Sequence, residues 1–324
     1  MAETVRAQWL KEAAAAGNRY HWRTRSGWPH NALNLAGLLG IVGGFVGVAA
    51  LATVIPWYLY VPLGAVGFGC LLFSIFILVI HECSHAMLFV GKNHERVRRL
   101  NHSIGDVAAA LVFTNYRLHW EKGHTAHHLH PTEPDIDPQN PDPEDGARLY
   151  RKYVRLAFIP GYALVANPSG KYKFNPVRFG ASLGFWGAVG TAFWMFFGWP
   201  ATAALVMGWN VVAALNLTKI AQEHGSALRH EPDPWLRSRT YFYPLWPIFS
   251  PFFINYHFEH HLNFSVPWYL LPAYHKEILR LMPEDLKPYL LTRGAGEYWA
   301  QIAGRRPNIP DEMRGLVEIP KATA

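Results

Sequence analysis

Residues 31–80, NALNLAGLLG IVGGFVGVAA LATVIPWYLY VPLGAVGFGC LLFSIFILVI, contain no Asp, Glu, Lys or Arg, and neither do residues 179–218, from Phe179 to Thr218. About 20 apolar residues cross the hydrocarbon core of a bilayer, so each block is long enough for two spanning helices. Pro56 and Pro62 fall near the middle of the first block and Pro200 interrupts the second, where turns between antiparallel spans belong. The pattern predicts two helical hairpins, four spans in all. Core helices of a water-soluble protein would have to keep a whole uncharged block of this length away from water, which such helices rarely do. Composition points the same way: the 324 residues are 50% hydrophobic and 15% aromatic, and only 16% are charged, against roughly 25% in soluble domains.

All 30 Lys and Arg and all 17 His lie outside the two blocks. If each block is a hairpin, every basic residue sits on one side of the membrane, and the positive-inside rule makes that side cytoplasmic. Both termini and all the histidines are then expected in the cytoplasm. The net charge of +7 is a topology signal, with some attraction to anionic headgroups, and it does not call for a nucleic-acid partner. The N-terminus lacks a basic-then-apolar secretory pattern, so the first block is expected to direct insertion itself. The two cysteines, Cys70 and Cys83, offer neither a disulfide framework nor zinc-ribbon spacing, in keeping with a reducing compartment.

The chain reads as one unit without internal repeats: an all-α membrane protein whose cytoplasmic helical cap surrounds the ends of the spans. Residues 1–30, with Trp9, Leu10, an alanine run and Arg19, Arg23 and Arg25, suit a helix along the cytoplasmic interface or a solvated tail. Residues 31–80 are the first hairpin, 81–178 return to the cytoplasm, 179–218 are the second hairpin, and 219–324 are cytoplasmic again. Within the polar stretch, Ile104–Phe113 is too short to span and should lie against the membrane or pack beneath the polar site. The Pro- and Asp-rich run Pro131–Asp145 should be loop. Tyr241–Tyr256, aromatic and broken by proline, could dip into the interface.

Three histidine clusters stand on the polar stretches: His81-Glu-Cys-Ser-His85, His124-Thr-Ala-His127-His128 and His257-Phe-Glu-His260-His261. Imidazole suits iron, copper, zinc and nickel, and one metal rarely takes more than four or five protein ligands, so eight clustered histidines imply two metals. Residues three or four apart share a helical face, which makes each cluster one ligand-bearing face. The first cluster also matches H-E-x-x-H, the zinc-protease signature. A protease would need one further ligand on a single zinc, and two more clusters exceed that demand. His224, in Gln-Glu-His224-Gly just beyond the fourth span, is a ninth candidate. Glu82, Glu223 and Glu259 adjoin ligands and are better placed to hold imidazole N–H groups than to bind metal directly. His119 and His130 flank the second cluster as supporting or surface residues, and Asp135 and Asp137 are expected chiefly to end its helix.

HECSH, HTAHH and HFEHH, in this order around two apolar hairpins, resemble the membrane fatty acid desaturase and hydroxylase superfamily. The resemblance spans about residues 31–275, including the His-His-Leu-x-x-x-Val-Pro run from His260. It implies a non-haem diiron centre held by His81, His85, His124, His127, His128, His257, His260 and His261, with His224 matching an additional histidine ligand of most members. It further implies O2 as co-substrate and hydrogen abstraction from an unactivated C–H bond of a lipid or fatty acyl chain. Electrons must come from outside. No His-Pro-Gly-Gly haem element occurs, so a separate ferredoxin, rubredoxin or cytochrome-type donor is expected. Three residues between the first-box histidines resemble acyl-lipid desaturases, hydroxylases and ketolases more than acyl-CoA desaturases. Ile220, where some acyl-CoA members have asparagine, and His257, where front-end desaturases have glutamine, point the same way. The expectation is an acyl-lipid desaturase-like enzyme. A hydroxylase or carotenoid-type ketolase, an intramembrane zinc protease and a membrane metal carrier or sensor stand as alternatives.

Overall fold

Among the described residues, four helices are long and apolar enough to cross a membrane: Gly27–Thr53, Trp57–Ser84, Pro176–Phe197 and Trp199–His224. The computed structural model describes residues 2–22, 27–133, 136–137, 146–165, 175–225, 228, 231–294, 296–297, 300 and 309–310. The main elements, in chain order, are α1 (Ala2–Gly17), α2 (Gly27–Ala50), α3 (Trp57–Ser74), α4 (His94–Leu111), α5 (Gly123–Leu129), α6 (Gly146–Phe158), α7 (Pro176–Phe197), α8 (Trp199–His224), α9 (His257–Leu262) and α10 (Leu271–Leu281). Each spanning helix overruns its charge-free block at the polar end, so His81 and His224 lie on the spans themselves rather than beyond them. Only Pro56 marks the first turn, because Pro62 sits inside α3. Pro200 occupies the first turn of α8, where its missing N–H costs nothing.

The two hairpins meet through α3 and α8. Their axes approach closely because small residues face each other there: a Cβ on Gly208 would meet Cβ of Phe68 at 2.8 Å, and one on Gly69 would meet Val211 at 2.4 Å. Small residues at a contact let backbones approach, which is how spanning helices gain packing when lipid is as apolar as leucine. Trp57 and Trp199 pack with ring centroids 5.6 Å apart, which puts both hairpin turns at one end of the bundle, where an aromatic belt belongs. Leu39, Val42, Leu63, Trp194, Met195 and Phe196 are exposed around it, a surface that only lipid would cover.

At the opposite end, α1 is neither a solvated tail nor a helix lying free on the interface. Trp9, Leu10, Ala13 and Ala16 are buried in one core with Phe258, Leu271, Tyr274 and Ile278. Tyr274 donates a hydrogen bond to the carbonyl of Ala13 at 2.6 Å, and burying side chains such as Leu10 stabilises this seat by about 1.5–3 kcal/mol each. Arg23 and Arg25 lie outside the described residues. One feature departs from an all-α chain: β1 (Thr240–Phe242) pairs in parallel with β2 (Leu291–Arg293). The Tyr241–Tyr256 run thereby folds into the cap, with Tyr241 fully buried, while Leu245 and Ile248 remain exposed. Most of the Pro131–Asp145 segment lies outside the described residues.

Ile104–Phe113 belongs to α4 and its end, and it packs beneath the first cluster. Ala108, Ala109 and Val112 share a core with Ile80, Cys83 and Tyr116. Between the first cluster and α4, the chain Met87–Val90 leaves helical geometry, and its backbone is satisfied by side chains from elsewhere. Asn31 and Asn101 each bracket one residue, accepting from the N–H and donating to the C=O of Val90 and Phe89 respectively, at 2.8–3.0 Å. Asn34 donates to the carbonyl of Leu88 at 2.7 Å. Irregular backbone at a membrane boundary persists only with such partners.

Candidate metal centre

The second span does not finish as an α-helix. Ile75–His81 winds as a π-helix and runs directly into His81, Glu82 and His85. The second cluster is delivered the same way, since the π-helical segment Tyr116–Lys122 leads into α5 with His124, His127 and His128. Wider π turns occur mostly at functional sites, where they re-aim side chains that a regular helix would carry elsewhere. α9 supplies His257, His260 and His261, and the last residue of α8 is His224.

All nine candidate histidines come together, in two groups. His81, His85, His124, His128 and His260 form one, and His127, His224, His257 and His261 form the other; within each, the ligand-capable nitrogens lie within 4.8 Å of one another. The second and third clusters are therefore not single-metal faces. In each, the pair four residues apart serves one group, His124 with His128 and His257 with His261, while the remaining histidine, His127 or His260, reaches the other. The groups adjoin: the rings of His128 and His261 are 4.3 Å apart, and those of His124 and His127 are 5.7 Å apart.

The nitrogens that converge are Nε2 atoms. His81 Nε2 lies 3.0 Å from that of His260, His124 is 3.1 Å from His85 and 3.2 Å from His128, and His224 is 2.8 Å from His257. Two imidazoles in adjacent positions on one ion, each about 2.1 Å from it, stand about 3 Å apart, so this spacing fits metal ligation. Nε2 of His261 is buried without a hydrogen-bond partner, an acceptor that a cation would satisfy. Burial drives His85 down to about 3 and holds His128, His257, His260 and His261 well below the ordinary imidazole value, with neighbouring imidazoles adding to the effect. Neutral imidazole is the form that binds metal.

Behind the rings, the Nδ1 atoms meet acceptors that fix their orientation. His81 Nδ1 is 3.2 Å from Glu82, and His224 Nδ1 donates to the carbonyl of Arg237 at 2.7 Å. His257 Nδ1 is 3.3 Å from Glu223, close enough for attraction but not aligned as a hydrogen bond. Glu223 is also paired with Lys219 on the preceding turn. Glu259 departs from expectation: it holds the ring of His275 and the hydroxyl of Thr240, not a cluster histidine. Asp137 departs in the other direction. Its carboxylate is buried and lies 2.8 Å from His127 Nδ1 while accepting the Thr132 N–H, so it orients a candidate ligand rather than simply ending a helix. Asp135 lies outside the described residues. His130 pairs with Glu133 near the surface, and His119 stacks edge-on against Trp120; neither joins a group. Sequence reading also missed Phe264, whose ring stacks 5.3 Å from His85, because nothing in the spacing brings it there.

The protease alternative fails on geometry. Glu82 faces Nδ1 of His81, behind the ring, whereas a protease base must stand on the Nε2 side beside the metal's open position. Five nitrogens in one group also exceed the tetrahedral demand of structural zinc and suit an ion of higher coordination number. A search of curated proteins found no match to the chain. Residues 55–293, which include all nine histidines, match the family described as fatty acid desaturase. With four apolar spanning helices and two histidine groups at their polar end, this chain belongs to the fatty acid desaturase family: it is a membrane oxidoreductase that acts on lipids.

Proposed function

We propose that the chain removes two hydrogens from adjacent carbons of a lipid acyl chain, with two iron ions bound one in each histidine group and O2 as co-substrate. The observation that supports this most directly is the pair of adjoining nitrogen groups, five and four histidines, at the polar mouth of an apolar bundle. Iron supplies the redox change needed to activate dioxygen, which zinc lacks. The balance is fixed by the products. Dioxygen is reduced to two waters by the two electrons removed with the acyl hydrogens and two more from an external donor, a ferredoxin, rubredoxin or cytochrome-type protein. The boxes and both termini face the cytoplasm in this reading, where such donors are reduced.

The protein's own residues perform three tasks in this reaction. Burial keeps His85, His128, His257, His260 and His261 neutral, and so keeps their lone pairs for metal. Asp137, Glu82 and the Arg237 carbonyl hold the rings of His127, His81 and His224 from behind, which limits how far these nitrogens can swing as charge at the centre changes. The apolar bundle admits an acyl chain from the side and sets which carbon lies nearest the groups, and positioning of this kind decides between a second hydrogen loss and oxygen insertion.

Purified protein should carry about two irons per chain. Lipids from expressing cells, examined by mass spectrometry, should show acyl chains lighter by two hydrogens. A gain of one oxygen would establish the hydroxylase or ketolase reaction on the same scaffold. Tightly held zinc without any lipid product would overturn the proposal.

A further inference from the structure

The polar stretch between the hairpins packs against the fourth span. Tyr153 of α6 hydrogen-bonds Thr218 on α8 at 2.7 Å, beside Lys219, the first charged residue along α8. Further down α8, Asn210 is buried and turned toward α6. Its amide donates to the carbonyls of Leu156 and Ile159 at 2.9 and 2.6 Å, and its oxygen accepts the N–H of Ala163 at 3.1 Å. Asn210 lies nine residues below Lys219, a depth of about 13 Å along a helix rising about 1.5 Å per residue. That is close to the midplane of a hydrocarbon core about 30 Å thick. The end of α6 and the turn after it, with Gly161 at φ 71°, thus sit at membrane depth, and one buried asparagine satisfies the carbonyls that the helix end leaves open.

A second helix end reaches the same layer. The carbonyls of Ala110 and Leu111, at the end of α4, accept from Ser182 and from Trp186 Nε1 of α7. Trp186 packs on Trp209, the residue before Asn210, at 5.3 Å. The outer face of α6 then carries two bands. Tyr150 and Phe158 are 70% and 80% exposed, with Val154 between them on the same stripe, and this stripe runs on toward the exposed Val206 of α8, which a Cβ on Gly161 would meet at 4.0 Å. Arg151 and Arg155, also exposed, flank the stripe one residue on. An apolar stripe bordered by arginines is the pattern of a helix seated among acyl chains with its cations at anionic headgroups.

We infer that residues 150–163 form a re-entrant membrane element, with Phe158 and Ile159 in the acyl layer and Arg151 and Arg155 bound to anionic phospholipid headgroups. The element is part of the hydrocarbon-facing wall of the protein, although it lies in the polar stretch of the sequence.

Nitroxide labels at F158C and, as an aqueous reference, E284C test this in nanodiscs of phosphatidylcholine and phosphatidylglycerol. The native Cys70 and Cys83 remain, and the unaltered chain is the blank. The label at 158 should collide with dissolved oxygen and not with a water-soluble nickel chelate, the reverse of the label at 284. Nickel access at 158 equal to that at 284 would place α6 in water and overturn the inference. Exclusion of both reagents would mean a protein contact, such as a second copy, and would overturn it equally. Should F158C fail to fold, a label at I159C gives the same reading. For the headgroup half, adding phosphatidylglycerol to phosphatidylcholine nanodiscs should raise the Tm of the unaltered chain more than that of R151E/R155E. Equal rises would remove anionic lipid as the partner of these arginines.

Discussion

Asp137 Oδ2 stands 2.8 Å from His127 Nδ1 and accepts the backbone N–H of Thr132 at the same distance. One carboxylate thus fixes both the ring of a candidate ligand and the turn that brings the acid back to it. Orienting acids of this kind are worth about 10–100-fold in metal affinity or activity. Asp137→Ala should therefore lose metal preferentially from the four-histidine group, while the five-histidine group keeps its ion. Metal content after exhaustive dialysis checks this: both ions retained would show that Asp137 only shapes the turn.

His260 and His261 are neighbours in sequence but belong to different groups. His260→Ala and His261→Ala should deplete different sites, distinguishable as separate signals in Mössbauer spectra of iron-57 protein. The same division makes His124→Ala and His128→Ala alike, and His127→Ala different from both. Each variant should still insert in the membrane, since the charge-free blocks that direct insertion are unchanged. Identical spectra for the His260 and His261 variants would mean that the two groups are one site.

These two expectations separate what the sequence discloses from what it does not. The four spans are legible because a missing charge over a long stretch has one physical reading, and the eight clustered histidines are legible because their density exceeds any structural need, whereas the isolated His224 is marked only by its place at the end of the fourth span and by the family resemblance. The division into two groups is not legible. Helical spacing puts His124, His127 and His128 on a single broad face, and the split depends on which remote partner each ring meets, His81 and His85 at the end of the second span or His224 at the end of α8. Asp137 and Glu259 show the same limit. Both are acids near a cluster, and only the tertiary return of the chain decides that Asp137 reaches His127 while Glu259 turns to His275. The depth of α6 was hidden because its partner, Asn210, is an uncharged residue within a block read only for its lack of charge.

Metal-free protein should lose stability on mild acidification. Desolvation lowers His85 to about 3 and His119 to about 4, from the ordinary 6.5. Between those values the unfolded chain binds protons that the folded chain refuses. The contribution is therefore complete above about pH 6.5 and declines as pH falls toward 4. The Tm of metal-free protein in detergent should drop steadily from pH 7 to 5, and His119→Asn should make the decline shallower. A Tm independent of pH over this range would show that these rings are solvated.

The contact between α3 and α8 carries the last test, because it sets the spacing of the two hairpins on which His81 and His224 ride. A side chain on Gly208 would meet Cβ of Phe68 at 2.8 Å, the backbone nitrogen of Gly69 at 3.2 Å and the carbonyl of Ala65 at 3.4 Å. None of these is the free end of a flexible side chain, so relief requires the helices to move apart. Gly208→Val should destabilise the protein by about 1–3 kcal/mol, the usual cost of overpacking. Gly40→Ala, on the lipid-facing α2 with nothing within 4 Å, should have little effect. Since His224 is the last residue of the displaced helix, Gly208→Val should also weaken metal retention in the four-histidine group, whereas a loss of Tm without any change in metal content would mean that the ends of α3 and α8 are held by the cap rather than by each other.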